Sequence, residues 1–397
     1  MGKKARVVKA PSYSRLVNYF DHNASSPLCA EARAAWLEAS EKFIGNPSSP
    51  HRLGQRADAA LEAAREELAA ALGCDAFDIV WTSGATESAG MALHHLARTL
   101  DDRAEVWVSA IEHPCVLAAA RERFADRAVL IPAMRDGRLD LDWVRERART
   151  KRPAALLAMA ANNETGVLQP WAELRDWCRE ASVTFFCDAV QWLGRLPARG
   201  LGGCDFVSGS AHKFGGPRGV GFLKCPAGAR INPLLTGGGQ ERGRRAGTEN
   251  VAGVLAMLAA LQARKHSLTA DAQRERTEWR TEFETALVRE LPGAEIVGAD
   301  VQRLWNTVSA LMPEADCQRR WVVKLDRLGF AVSTGSACSS GNEEPSHVLT
   351  AMGRSTAEAG RMLRFSAGWE TTRADWQALL GALREIHAAL AVGEAAR

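Results

Sequence analysis

Between about residues 60 and 225 the chain keeps alternating a short apolar run with an amphipathic stretch, and few folds accept that pattern. The apolar runs are DIVWTS at 78–83, EVWVSA at 105–110, AVLIP at 128–132, AALLAMA at 154–160, VTFFCD at 183–188, DFVSGS at 205–210 and GVGFLKC at 219–225. Helical patterns such as SAGMALHHLARTL, LDWVRERART and WAELRDWCREA lie between them. Strands separated by helices predict an α/β fold with a mostly parallel seven-stranded sheet, and ligands of such sheets gather at the carboxyl ends of the strands. Beyond the Gly/Arg-rich loop GGGQERGRRAGTEN at 237–250, a helical region runs to about 290. A smaller α+β unit then has strands expected near 304–311, 329–333 and 362–367 and a closing helix from about 373. The expected division is a large domain over 18–264 and a small one built from 1–17 and 265–397.

Composition narrows the function classes. Fifty basic and 47 acidic residues give a net charge of +3, dispersed along the chain, so nothing points to direct nucleic-acid binding or to a membrane surface. No apolar run reaches membrane-spanning length, and the basic start MGKKARVVKAPSYSR lacks the apolar core of a secretory signal. The nine cysteines include no C-x-x-C pair, which argues against a structural zinc site. An odd number of scattered thiols suits a reducing compartment, and the expected location is the cytoplasm.

The segment SGSAHKFGGPRGVG at 208–221 carries the most chemistry. An arbitrary lysine belongs on the surface. Lys213, however, follows a strand and precedes a Gly-rich turn, where a desolvated amine can form Schiff bases with carbonyls. Asp188 ends the strand VTFFCD; it could cap a helix, or balance a protonated pyridine nitrogen. TSGATES at 82–88 runs through Gly84 into a helix start, where backbone N–H groups and the Thr86 hydroxyl suit a phosphate dianion. His113, after another strand, could stack on a ring or move protons. Together the strands deliver Thr86, His113, Asn163, Asp188, Gln191, Ser210, His212 and Lys213 to one sheet edge. No P-loop string G-x-x-x-x-G-K-[ST] occurs, which argues against a nucleotide-binding protein of that kind.

These residues resemble the class V aminotransferase-like family of pyridoxal 5'-phosphate (PLP) enzymes, and within it the cysteine desulfurases of the NifS/IscS type. The matching strings are YFDHNASSP, GNPSSPHRLG, TSGATES, EHPCVL, ANNETGV, CDAVQ, SGSAHKFGGPRGVG, GGGQERGRRAGTEN, VSTGSACSS and LRFSAG, in family order from about residue 19 to 385. The resemblance implies aminotransferase fold type I, with Lys213 holding PLP covalently. It implies that Asp188 pairs with the pyridine nitrogen, Gln191 with the ring hydroxyl, and that His113 stacks over the ring. Ala85, Thr86, Ser210 and His212 would hold the phosphate. Thr248 would reach the phosphate of a second subunit, which implies a homodimer with shared sites. Asn163 and Arg364 would take the substrate carboxylate, a task suited to a guanidinium.

Cys338 lies in STGSACSSGNEEP, a composition of loops rather than packed strands, whereas Cys187 and Cys225 sit in apolar runs and read as core thiols. The expected reaction removes sulfur from L-cysteine, leaving L-alanine and a persulfide on Cys338 for a sulfur-acceptor protein. Lys213 would take the α-proton and His113 the thiol proton. The alternative is selenocysteine lyase or another enzyme of the same family. The family's usual histidine is replaced by Gln240, and the chain ends soon after Arg364, so neither that histidine's role nor scaffold docking through a longer tail is expected here.

Overall fold

The computed structural model describes residues 17–314, 318–335 and 345–395. Twelve strands occur among them: β1 Asn18–Tyr19, β2 Ile79–Thr82, β3 Val106–Ser109, β4 Ala128–Ile131, β5 Ala155–Met159, β6 Thr184–Asp188, β7 Phe206–Ser210, β8 Gly221–Lys224, β9 Glu295–Ile296, β10 Thr307–Leu311, β11 Phe330–Ala331 and β12 Met362–Ser366. Seven form one sheet in the order β2-β8-β7-β6-β5-β3-β4. Only β8 runs against its neighbours. Each of these strands falls inside a run read from the sequence.

Hydrophobic alternation explains the layers. Val80, Val108, Leu157 and Phe186 pack with the helix Ala85–Thr99 on one face. Trp107, Leu156, Phe185 and Val207 pack on the other with the helices Arg52–Leu72, Trp171–Ala181 and Val251–His266. The helix Arg52–Leu72 buries Ala57, Leu61, Ala64, Leu68 and Leu72, a spacing of three and four that keeps one stripe inward, and it stops at Gly73 with φ 82°. A further cluster joins Phe20 to Phe283, Leu287, Val308, Trp321, Phe365 and Leu383 around the antiparallel sheet β12-β10-β9. The helical region to about 290 is two helices, Val251–His266 and Ala270–Glu290, because the Thr269 hydroxyl accepts from the Ala272 N–H and starts a new cap. No helix among the described residues is long and apolar enough to cross a membrane.

Strand β2 lies at the edge of the large sheet, where unpaired backbone groups are a liability. The Gly/Arg-rich loop supplies their partners. Glu241 accepts from the Trp81 N–H at 3.0 Å, Arg244 donates to the Ile79 and Phe77 carbonyls, and Arg65 donates to Ile79 O at 2.7 Å. Arg65 also grips Glu241 through two bonds of 2.8 and 2.9 Å, both side chains being buried. The loop holds Glu241 and Arg242 at φ 48° and 59°, left-handed conformations that non-glycine residues keep only where their surroundings demand it.

At Gly221 a Cβ would lie 2.5 Å from Gly209 O and 2.6 Å from Gly84 Cα, so three backbones meet beside the turn that opens the helix Ala85–Thr99. Gly221→Ala should therefore cost about 1–3 kcal/mol and lower the melting temperature by several degrees. Gly239→Ala, where a Cβ would meet nothing within 4 Å, is the control and should melt as the parent does. Equal melting of the two variants would refute the close approach.

Candidate active site

The carboxyl ends of β2, β3, β5, β6 and β7 open onto a cavity of about 470 Å³. Its walls include Ala85, Thr86, His113, Asn163, Asp188, Gln191, Ser210, His212 and Lys213, so the residues picked out at the strand ends do converge. Ala24, Ser25, Cys115 and Arg218 are also part of the lining.

Lys213 ends a single 3-10 turn, Ala211–Lys213, that follows β7 directly. Its Nζ donates to the main-chain oxygens of Asn23 at 2.7 Å and Ala24 at 2.9 Å. The same Asn23 oxygen accepts from Gln191 Nε2 at 3.0 Å, which ties the two side chains to one acceptor. Gln191 Oε1 is buried without a partner. Asn23 is itself held by its side chain, which donates to Thr307 Oγ1 at 2.9 Å and to Asn163 O at 3.1 Å.

Asp188 is buried at the end of β6, and its Oδ1 accepts from the Val190 N–H at 2.9 Å. Burial raises its pKa to about 6, against the lowering effects of that N–H and of Lys213. Glu112, fully buried nearby, accepts from the Met159 N–H at 2.6 Å through Oε1 while Oε2 has no partner. Burial first, then the charge on Asp188, holds the Glu112 carboxyl well above the usual carboxylate range, so it stays neutral and leaves Asp188 as the anion.

His113 caps the helix Pro114–Phe124, its Nδ1 accepting from the Cys115 N–H at 3.2 Å. Burial, then the charges of Lys213 and His347, push its pKa down to about 4. The ring is thus neutral with its proton on Nε2, placed to donate from that atom; accepting a thiol proton there would need the other tautomer. His212 Nδ1 lies 3.3 Å from Ser25 Oγ, and burial and Lys213 push it to about 4 as well.

Two expected residues stand apart from the cavity lining. Arg364, on β12, is almost fully buried and pairs with Asp21 at 2.7 Å while donating to Asn163 O and Gly335 O. It backs the wall instead of lining it. Thr248 is exposed and is not among the lining residues. Cys338 lies outside the described residues. Asn23, Cys115, Glu112 and Arg218 also stand at the site, at or beside the cavity. DHNASSP and EHPCVL were visible as strings, but the contact of Asn23 with Lys213 spans 190 positions and had no local signal.

The cavity suits the cofactor implied by the strings. Gln191 carries an orphaned acceptor oxygen, and Asp188 is a buried anion with a single backbone donor on Oδ1. At Gly84 a Cβ would come within 3.4 Å of Ser210 Oγ, leaving that helix start open for close approach of an anion.

The aminotransferase class-V family matches residues 18–379. The chain belongs to that family. It is 37% identical over 373 residues to "Cysteine desulfurase IscS" of Dictyoglomus turgidum, covering 93% of this chain and 94% of that one. A cysteine desulfurase of Gluconacetobacter diazotrophicus is 38% identical over 378 residues, covering 94% of each chain. The solved structure of a NifS-like protein from Rickettsia africae superposes with a TM-score of 0.84 at 29% identity, covering 94% of this chain and 99% of that one. Within the class-V family this enzyme therefore groups with the cysteine desulfurases of the NifS/IscS type.

The raised pKa of Asp188 has a consequence for stability. Its folded value of about 6 lies above the ordinary 3.8, so the folded state holds the proton more tightly. Stability from this group is present below pH 4 and is lost as pH rises through 6. In cofactor-free protein, Asp188→Asn should then melt several degrees higher than the parent at pH 8, with the gap shrinking toward pH 5. A gap independent of pH, or of opposite sign, would contradict this environment for the carboxyl.

Proposed function

We propose that this cysteine desulfurase uses PLP bound in the cavity at Lys213 and passes sulfur from L-cysteine to Cys338 as a persulfide, with release of L-alanine. The observation that carries the reading is the meeting of Lys213, Asp188, Gln191 and His113 on one cavity, with Lys213 and Gln191 sharing the Asn23 carbonyl. In this reading Lys213 anchors the cofactor, Asp188 faces its ring nitrogen, Gln191 its ring oxygen, and His113 its face. Ala85, Thr86, Ser210 and His212 hold its phosphate. PLP supplies an electron sink for the pair left on the α-carbon when a proton departs.

The protein's own groups do the rest. Lys213 Nζ, displaced by the substrate amine, would take the α-proton and hold it for return. Asp188, kept anionic beside a neutral Glu112, holds the positive charge on the ring nitrogen. His113 contributes its Nε2 proton. Asn163 holds the substrate carboxylate, and Arg364 joins it by exchanging its pairing with Asp21. The Cys338 thiolate then bonds to the substrate sulfur as the carbon–sulfur bond breaks. The pair from that bond stays with the carbon, which is protonated on the way to alanine.

Two features support the approach of Cys338. Gly335, before it, is tied to Arg364 through its carbonyl at 3.1 Å. Ser346, after it, bonds Glu164, and His347 Nε2 lies 2.9 Å from Glu112 O, next to His113. A homodimer is part of the same reading, supported by the exposure of Thr248 and by the exposed apolar side chains Trp36, Leu37, Ile44 and Leu53. The sulfur acceptor is a second protein that meets Cys338.

Lys213→Ala should lose both the visible absorbance of the PLP-loaded protein and all turnover. Cys338→Ser should keep the absorbance but form no persulfide, with sulfide release down by about 100-fold or more. A fully active Cys338→Ser enzyme would refute the sulfur relay, and a turnover rate hundreds of times higher on selenocysteine than on cysteine would favour a selenocysteine lyase.

A further inference from the structure

Behind the cavity wall lies a cation that the reading above leaves unused. Arg195 is fully buried. Its Nη1 donates to Gln191 O at 3.3 Å, and its Nη2 to His22 O at 3.3 Å and Asn23 Oδ1 at 3.4 Å. Its guanidinium lies 5.5 Å from the centre of the Trp369 ring, and Nε has no acceptor. No carboxylate pairs with it among the described residues. The buried Arg65, Arg264, Arg354 and Arg364 do have such partners, in Glu241, Glu370, Glu295 and Asp21. Arg244, which has none, packs against Glu241 and makes shorter bonds to carbonyls.

A buried cation with only long bonds to neutral oxygens is costly, and its surroundings add to the cost. Burial, then Arg264 and Arg364, push its pKa down to about 9, which still leaves it charged at neutral pH. His22, driven to about 3 by burial and by Arg195 itself, offers no compensation. His212 feels the same charge and is held neutral. Asp21 and Glu370 are already paired with Arg364 and Arg264, so each balances another guanidinium.

Of the three residues Arg195 holds from behind, Asn23 and Gln191 meet the cavity's key groups. Asn23 receives Lys213 Nζ and Gln191 Nε2 on its main-chain oxygen, and Gln191 presents an orphaned Oε1. We propose that Arg195 is a positioning residue: it fixes Asn23 and Gln191 from behind, and its charge makes the Lys213 nitrogen less basic. This rests on the PLP reading given above.

The sign follows from electrostatics. A cation behind the wall disfavours a proton on the nearby lysine nitrogen, so removing it makes that nitrogen more basic. The experiment loads the full-length parent, Arg195→Met, Arg195→Gln and Arg195→Lys with PLP and follows the visible absorbance against pH. The midpoint should rise by about one unit in Arg195→Met and Arg195→Gln and stay put in Arg195→Lys. Arg195→Gln keeps a hydrogen-bonding group without charge, so it carries the comparison with Arg195→Lys if Arg195→Met does not fold. Melting temperatures, measured alongside, separate lost packing from lost charge. Unmoved midpoints in both neutral variants, or an equal shift in Arg195→Lys, would overturn the role of Arg195 while leaving the cofactor reading intact. A parent protein without visible absorbance would instead overturn the cofactor reading, and this inference with it.

Discussion

One main-chain oxygen organises the site. Asn23 O accepts from Lys213, which lies 190 residues later, and from Gln191, 168 residues later. The Asn23 side chain is bonded to Thr307 and Asn306, its N–H to Ser366, and Arg195 supports it from behind. A buried amine needs acceptors to offset the loss of water, and a rigid carbonyl costs no reorganisation when the amine is replaced or returns. The segment 21–23 thus stitches the carboxyl edge of the large sheet to β10 and β12, and the cavity keeps its shape because that stitching is buried.

Around this anchor the charges are arranged so that neighbours differ in protonation. Glu112 and Asp188 are both carboxyls, yet complete burial and the adjacent anion keep Glu112 neutral while Asp188 has Lys213 and a backbone N–H in its favour. His113 and His212 are kept neutral by burial and by the same lysine. Environments that push like groups apart are how one site obtains distinct acids and bases at a single pH. The cost appears as buried polar atoms without partners, Gln191 Oε1 and Glu112 Oε2 among them.

A second tension lies at the sheet edge. The loop at 237–250 satisfies β2 through Glu241 and Arg244, with Arg65 of the helix Arg52–Leu72 beside them, and Glu241 and Arg242 take left-handed conformations there. The same attachment holds the loop that carries the exposed Thr248. The two described ends of the Cys338 segment are attached as well, to Arg364 on one side and Glu164 on the other.

Local sequence determined the seven strands of the large sheet, because alternating apolar and amphipathic runs allow little else, and it named the residues at their carboxyl ends. Strand order and direction place those ends together, so Lys213, Asp188 and His113 were legible as a set once the fold was recognised. Only the tertiary structure decided what backs them. Asn23 and Arg195 lie in strings with no chemical signature of their own. Arg364 reads from its string as a substrate ligand, yet the fold gives it to Asp21 and sets it behind the wall. These outcomes depend on contacts between positions hundreds of residues apart, and on burial. Neither is written in any local pattern, since the pKa of a carboxyl or the partner of a guanidinium is set by whatever the rest of the chain packs against it.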